Sequence, residues 1–207
     1  MSVKKILFRV LVIIIPISLG IIISVYINQG SGTLEGVSAT VLPEGKALPA
    51  FVLEDHHGQA FTNESLKGNW SFIFFGYTHC PDVCPTTLSL LNQVDQALKK
   101  ETGVDIPKTV FISVDPERDT VAQLADYVPY FNPEFIGVTG GLENLQVLTK
   151  SLGIAFGKEG DTKNDEYEVF HGTRIMLIDP EARLKALFSS PHDVNTIVDD
   201  YIKIINS

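Results

Sequence analysis

Cys80 and Cys84 are the only cysteines in a chain of 207 residues. They stand in the segment Thr78-His79-Cys80-Pro81-Asp82-Val83-Cys84-Pro85, and three chemistries fit such a pair. A structural disulfide is the commonest use of a sole cysteine pair in an exported domain, although a bridge closing so short a loop would restrain the unfolded chain little. Thiol–disulfide exchange is the second, although its usual motif has two intervening residues rather than three. Metal binding is the third. Residues i and i+4 share one helix face, so both sulfurs can address one atom, and thiolates are soft ligands that select Cu(I), zinc or iron–sulfur clusters. A helix N-terminus at the pair would favour the thiolate, and the two prolines stiffen its presentation.

Two thiolates are too few for a closed site of four, so a metal would need histidine, of which the chain has five. His79 adjoins Cys80 and should point away from the sulfurs. His56 and His57 fall at a hairpin tip, where solvent exposure is expected. His192 precedes the last helix and reads as a cap or surface residue. His171 follows a charged loop and precedes a strand, a place where a lone histidine is more often a polar surface group than a ligand. Asp82 reads as a solvated turn residue. Spacing alone leaves the disulfide, the redox couple and the soft-metal site all open.

The elements that must position these residues follow from periodicity. Residues 51–53 and 59–61 flank a polar, Gly-containing tip and predict a hairpin. The run 70–77 (WSFIFFGY) is near-continuously apolar and aromatic, as in a strand buried on both faces. From Cys84 the period changes: Leu88, Leu91, Val94 and Leu98 mark one helical face. A second buried strand is predicted at 110–114, a helix at 120–130 capped by Asp119 or Thr120, a short strand at 135–138 and a helix at 142–152. Residues 157–168 read as a long charged loop. A hairpin at 174–178 and 184–188 and an amphipathic helix at 193–205 complete the chain. Strands alternating with helices predict an α/β fold, a central mixed sheet with helices on both faces. The loop holding Cys80 would then lie at the carboxyl end of a central strand, where open α/β sheets bind ligands.

The N-terminus reads differently. Lys4, Lys5 and Arg9 precede an apolar run over 10–27, about long enough to cross a bilayer as a helix. No small-residue cleavage pattern follows it, which favours an uncleaved anchor over a signal peptide. The basic residues before the span predict a cytoplasmic N-terminus and an extracytoplasmic domain. The expected organisation is a cytoplasmic tip and transmembrane anchor over 1–28, a flexible linker over 29–47 and the globular domain over 48–207. The short segment before the span fits a bacterial plasma membrane better than a mitochondrial presequence. The net charge is −9, and without those three basic residues the remainder carries 13 basic and 25 acidic side chains, near −12. Such a surface argues against nucleic acid or anionic lipid as a partner.

The stretch FFGYTHCPDVCPTTL together with SVDPERDT at 113–120 resembles the Sco/SenC copper-delivery family. The resemblance runs from about Phe51 to Ile205, and includes DHHG at 55–58, LKGNW before the first buried strand, and IDPEARL after His171. It implies a thioredoxin-like fold behind an N-terminal membrane anchor. It further implies a copper chaperone, a binding protein rather than an enzyme, serving assembly of the CuA centre of cytochrome c oxidase. The ligands implied are Cys80, Cys84 and, by its position between the charged loop and the last hairpin, His171. The family commonly has Ser or Thr directly after this histidine, where Gly172 stands here. Cu(I) and Cu(II) are the implied ions. Oxidation of Cys80 and Cys84 to a redox disulfide would abolish tight binding, so a thiol reductase is an implied partner, beside a copper donor and subunit II of the oxidase. Asp115, Arg118 and Asp119 read as an ion pair and helix cap near the site. The rival functions are an extracytoplasmic thiol-disulfide oxidoreductase that keeps copper-site cysteines reduced, and a peroxidase-like thiol enzyme, which the same fold can host.

Overall fold

In the computed structural model, residues 36–161 and 166–207 are described. The expected anchor over 10–27 lies outside them. Among the described residues, no helix is long and apolar enough to cross a membrane.

The core is organised around β4 (Ser71–Gly76), whose six residues are all buried. Its run Phe72 to Phe75 leaves neither face suited to water, and the fold covers both. Beside it lie β5 (Lys108–Ser113), paired in parallel, and β9 (Ile175–Ile178), paired antiparallel. The remaining strands of this sheet are β1 (Thr40–Ala47), β2 (Val52–Asp55), β3 (Ala60–Thr62), β6 (Ile136–Thr139) and β10 (Arg183–Phe188). Their order, β1-β10-β9-β4-β5-β6-β2-β3, makes an eight-stranded mixed sheet. One expectation is corrected here: residues 40–47, assigned to the flexible linker, form an edge strand. Thr40 and Val41 pair with Leu187 and Ala186, and Val41 is buried.

Helices flank the sheet. The short α1 (Asn63–Leu66) is closed by a capping box between Thr62 and Ser65. The long α2 (Val83–Leu98) buries Cys84, Leu88, Leu91, Val94 and Leu98, the face its spacing predicts. It packs on α5 (Val194–Ile205), which begins at the Asp193 cap. Tyr201 of α5 stands over Trp70 and Phe72, while Tyr127 of α3 (Val121–Phe131) meets Phe111 of β5. The cap of α3 is Thr120, which accepts the Gln123 amide; Asp119 is engaged elsewhere. The remaining helix, α4 (Leu142–Leu152), ends at Gly153, whose φ of 69° suits a residue without a Cβ.

A second correction concerns residues 157–168, expected as a loop. They belong largely to β7 (Phe156–Asp161) and β8 (Glu166–His171), an antiparallel hairpin that forms a two-stranded sheet of its own. Its register sets Phe156 opposite His171. The charged side chains that suggested a loop belong to a hairpin with one face turned to solvent.

Candidate metal centre

The two cysteines are placed by the end of β4 and the start of α2. After Gly76 the chain leaves the sheet, turns so that the Cys80 amide donates to the Tyr77 carbonyl, and enters the helix after Asp82. Asp82 makes no capping bond to the backbone and is exposed, the solvated position expected of it. Cys80 is half-buried and Cys84 is buried, and both are free thiols. The Cys84 amide, at the helix start, donates to the Cys80 sulfur at 3.5 Å. A helix N-terminus thus serves one of the sulfurs.

Cys84 fits only because Gly76 has no side chain. A Cβ there would stand 2.7 Å from the Cys84 sulfur and 2.6 Å from Phe111 Cε2. Burial pushes the Cys84 thiol well above its ordinary pKa, opposed by a backbone bond at Tyr77. This is opposite to the lowering expected from a helix start. Desolvation of a lone thiolate outweighs the amide dipoles when no cation is present.

His171 arrives from the far end of β8. Its Nε2 lies 3.5 Å from the Cys84 sulfur, and its Nδ1 lies 3.1 Å from the carbonyl oxygen of Gly172. A carbonyl can only accept, so the proton belongs on Nδ1 and the Nε2 lone pair faces the sulfurs. Burial lowers the His171 pKa, partly offset by the Gly172 carbonyl, which favours the neutral ring a metal requires. Tyr77 and Phe74 flank the imidazole edge-on, with centroids 5.8 and 6.0 Å away. Gly172, where the resemblance expects Ser or Thr, lies close to Ile154: a Cβ there would approach Ile154 Cδ1 to 3.1 Å. The departure leaves the imidazole in place.

The donor atoms of Cys80, Cys84 and His171 all lie within 4.8 Å of one another, and they are the one such metal-capable group among the described residues. Two soft sulfurs and an imidazole whose free nitrogen faces them suit a soft cation such as Cu(I). The other histidines stand apart. His79 is exposed and turned toward Thr78 and Asp119. His192 bonds the Thr173 carbonyl at 2.9 Å, bracing the turn just after His171. His57 is exposed, as the hairpin tip suggested, but His56 is buried, and its Nδ1 accepts the Gly137 amide at 2.8 Å. It is a structural acceptor joining the β2–β3 turn to β6.

The loop after β5, Asp115-Pro116-Glu117-Arg118-Asp119-Thr120, serves both halves of the site. Asp119 is fully buried and accepts the Thr78 amide at 2.9 Å, the Thr78 hydroxyl at 2.6 Å and the Ser113 hydroxyl at 2.6 Å. It therefore fixes the loop that leads into Cys80. Asp115 pairs with Arg118 at 2.5 Å, the ion pair expected from sequence, and faces the histidine hairpin. Gly76, Tyr77, Thr78 and Tyr167 were not singled out by sequence reasoning, although Gly76, Tyr77 and Thr78 lie inside the stretch FFGYTHCPDVCPTTL.

The SCO1/SenC family model matches residues 40–206. A protein of Stutzerimonas stutzeri is 40% identical over 158 residues, covering 76% of each chain. A mitochondrial SCO1 homolog of Arabidopsis thaliana is 38% identical over 183 residues, 86% of this chain but 52% of its own length. The chain thus aligns with about half of that longer relative. The chain belongs to the SCO1/SenC family. The crystal structure of Arabidopsis thaliana ScoI with copper bound superposes with a TM-score of 0.72 at 37% identity, covering 77% of this chain and 98% of that one. The mixed sheet with flanking helices is accordingly the thioredoxin-like arrangement of Sco proteins.

Proposed function

We propose that this protein binds copper through Cys80, Cys84 and His171 and presents it for assembly of the CuA centre of cytochrome c oxidase. The convergence of these three donors within 4.8 Å carries the reading. The copper-bound ScoI of Arabidopsis thaliana, with the same fold, supports it. Cys80 and Cys84 would supply thiolates, and His171 Nε2 the third donor. Bound copper would supply a positive charge that offsets the desolvation of the Cys84 thiolate. Subunit II of the oxidase is the proposed recipient. A copper donor and an extracytoplasmic thiol reductase are the proposed suppliers of ion and electrons, and the segment 10–27 the proposed anchor in a bacterial plasma membrane.

The test is Cu(I) and Cu(II) titration of the reduced protein at fixed pH. One Cu(I) per chain is expected. His171→Ala should weaken binding by more than the roughly 10–100-fold typical of losing an outer partner, and Cys80→Ser or Cys84→Ser should weaken it further. Unchanged affinity in His171→Ala would sink the three-donor site.

A second reading is favoured by the asymmetry of the thiols. Cys80 is partly accessible and held at a helix start, while Cys84 is buried behind it, an arrangement suited to attack by one and resolution by the other. In that case the pair would be oxidised as a partner disulfide is reduced. Disulfide exchange that proceeds unaltered in His171→Ala, without copper, would favour the oxidoreductase.

A further inference from the structure

The hairpin that carries His171 forms its own two-stranded sheet, so the ladder of the main sheet does not set where the imidazole stands. Tyr167, Val169 and His171 alternate along β8. Tyr167 and Val169 are buried, while Glu168 and Phe170 between them are exposed, so all three share the inward face. Four strand residues place Tyr167 about 13 Å along the strand from His171.

At that far end the loop after β5 holds Tyr167 in three ways. Its hydroxyl donates to Asp115 Oδ1 at 2.7 Å. Its carbonyl accepts Arg118 Nη1 at 3.0 Å. Its ring lies 3.7 Å from the Arg118 guanidinium carbon. Arg118 is itself fixed by the 2.5 Å bond from Nε to Asp115 Oδ2, and Asp115 is fully buried. Lys158 of β7 stands over the same ring at 4.5 Å and pairs with Glu117 of the same loop at 2.6 Å. Hydroxyl, main chain and ring of one residue are gripped by a single loop.

The geometry points to Tyr167, Arg118 and Asp115 as positioning residues for the third donor, a clamp that acts through β8 to set the imidazole against the sulfurs. This rests on the copper-site reading given above. Asp119, four residues from Asp115, holds the cysteine loop instead, so the two halves of the site have separate supports within one motif.

The experiment is a double-mutant cycle read by Cu(I) affinity in the reduced protein. Tyr167→Phe keeps the ring over Arg118 and removes only the hydroxyl. It should weaken Cu(I) binding about tenfold, and have no further effect on a His171→Ala background, where the sulfurs keep their own support. Equal losses on both backgrounds, or no loss on either, overturn the clamp; general destabilisation would give the first pattern. Arg118→Lys keeps the charge but loses the fork and the stacked plane, and carries the same comparison if Tyr167→Phe does not fold. If His171→Ala leaves copper affinity unchanged, the three-donor reading has failed. The clamp is then judged in metal-free protein: Tyr167→Phe should speed amide exchange at Val169, Phe170 and His171 relative to β9, and unaltered exchange there overturns it.

Discussion

Gly76 and Cys84 are in direct contact, the α-carbon of the one leaving just enough room for the sulfur of the other. The sheet's last residue on β4 and the helix's second residue thereby define one wall of the site. Gly76→Ala would place a methyl 2.7 Å from the sulfur and 2.6 Å from the Phe111 ring. Neither neighbour can swing freely, since Cys84 and Phe111 are fully buried. The substitution should cost about 1–3 kcal/mol of stability through overpacking and weaken Cu(I) binding by displacing the sulfur. Urea unfolding and competition against a Cu(I) chelator check the two effects.

The pH dependence of copper binding follows from Cys84. Burial raises its pKa, so the metal-free protein carries the thiol proton through neutrality and copper must displace it. Apparent Cu(I) affinity should therefore rise with pH by at least about tenfold per pH unit near neutrality. His171 works in the other direction of risk: burial lowers its pKa, so proton competition at the imidazole is displaced to pH below its ordinary range. A flat profile between about pH 6 and 8 would contradict this assignment.

Stability should also depend on pH through His56. Its pKa is lowered, chiefly by desolvation and next by His57, and its Nδ1 must stay unprotonated to accept the Gly137 amide. The unfolded chain takes up the proton first as pH falls through about 6.5. The folded state therefore loses relative stability from there down to the lowered value, and keeps it in full above. Denaturation midpoints measured from pH 7.5 down to 5 should fall. The fall should be shallower in His56→Asn, which cannot titrate there.

Asp119 carries three hydrogen bonds in a fully buried position. Asp119→Asn keeps the shape but replaces one accepting carboxylate oxygen by an amide NH2 and removes the charge, so the bonds from Thr78 and Ser113 can no longer all be accepted as they are. A loss of about 2–3 kcal/mol is expected, and unlike Tyr167→Phe it should weaken Cu(I) binding equally with and without His171.

Much of this was legible because the signals were local. The apolar run of β4, the spacing of Leu88, Leu91, Val94 and Leu98, and the Cys80–Cys84 interval each report on one element. The hairpin that holds His171 was not legible, because β7 reads FGKEGD, whose glycines and charges give no alternation. On β8 the pattern Tyr167-x-Val169-x-His171 was the available signal, three positions of one face. His56 was misread for a different reason: its burial depends on Gly137, 81 residues away, which nothing at the β2–β3 turn reveals. The ligand role proposed for His171 likewise rests on family resemblance, since no interval in sequence encodes a contact across 87 residues.

The separate two-stranded sheet has a consequence for how cargo could leave. Two sulfurs are mounted on the main body, where α2 and β4 lock them, and the nitrogen is mounted on an arm. Withdrawing the arm would strip one donor while the sulfurs keep their grip, turning a three-donor cradle into an open two-donor one. An acceptor offering its own imidazole or thiolate could then complete the coordination from outside. If copper is carried as proposed, release would then proceed by exchanging donors one at a time.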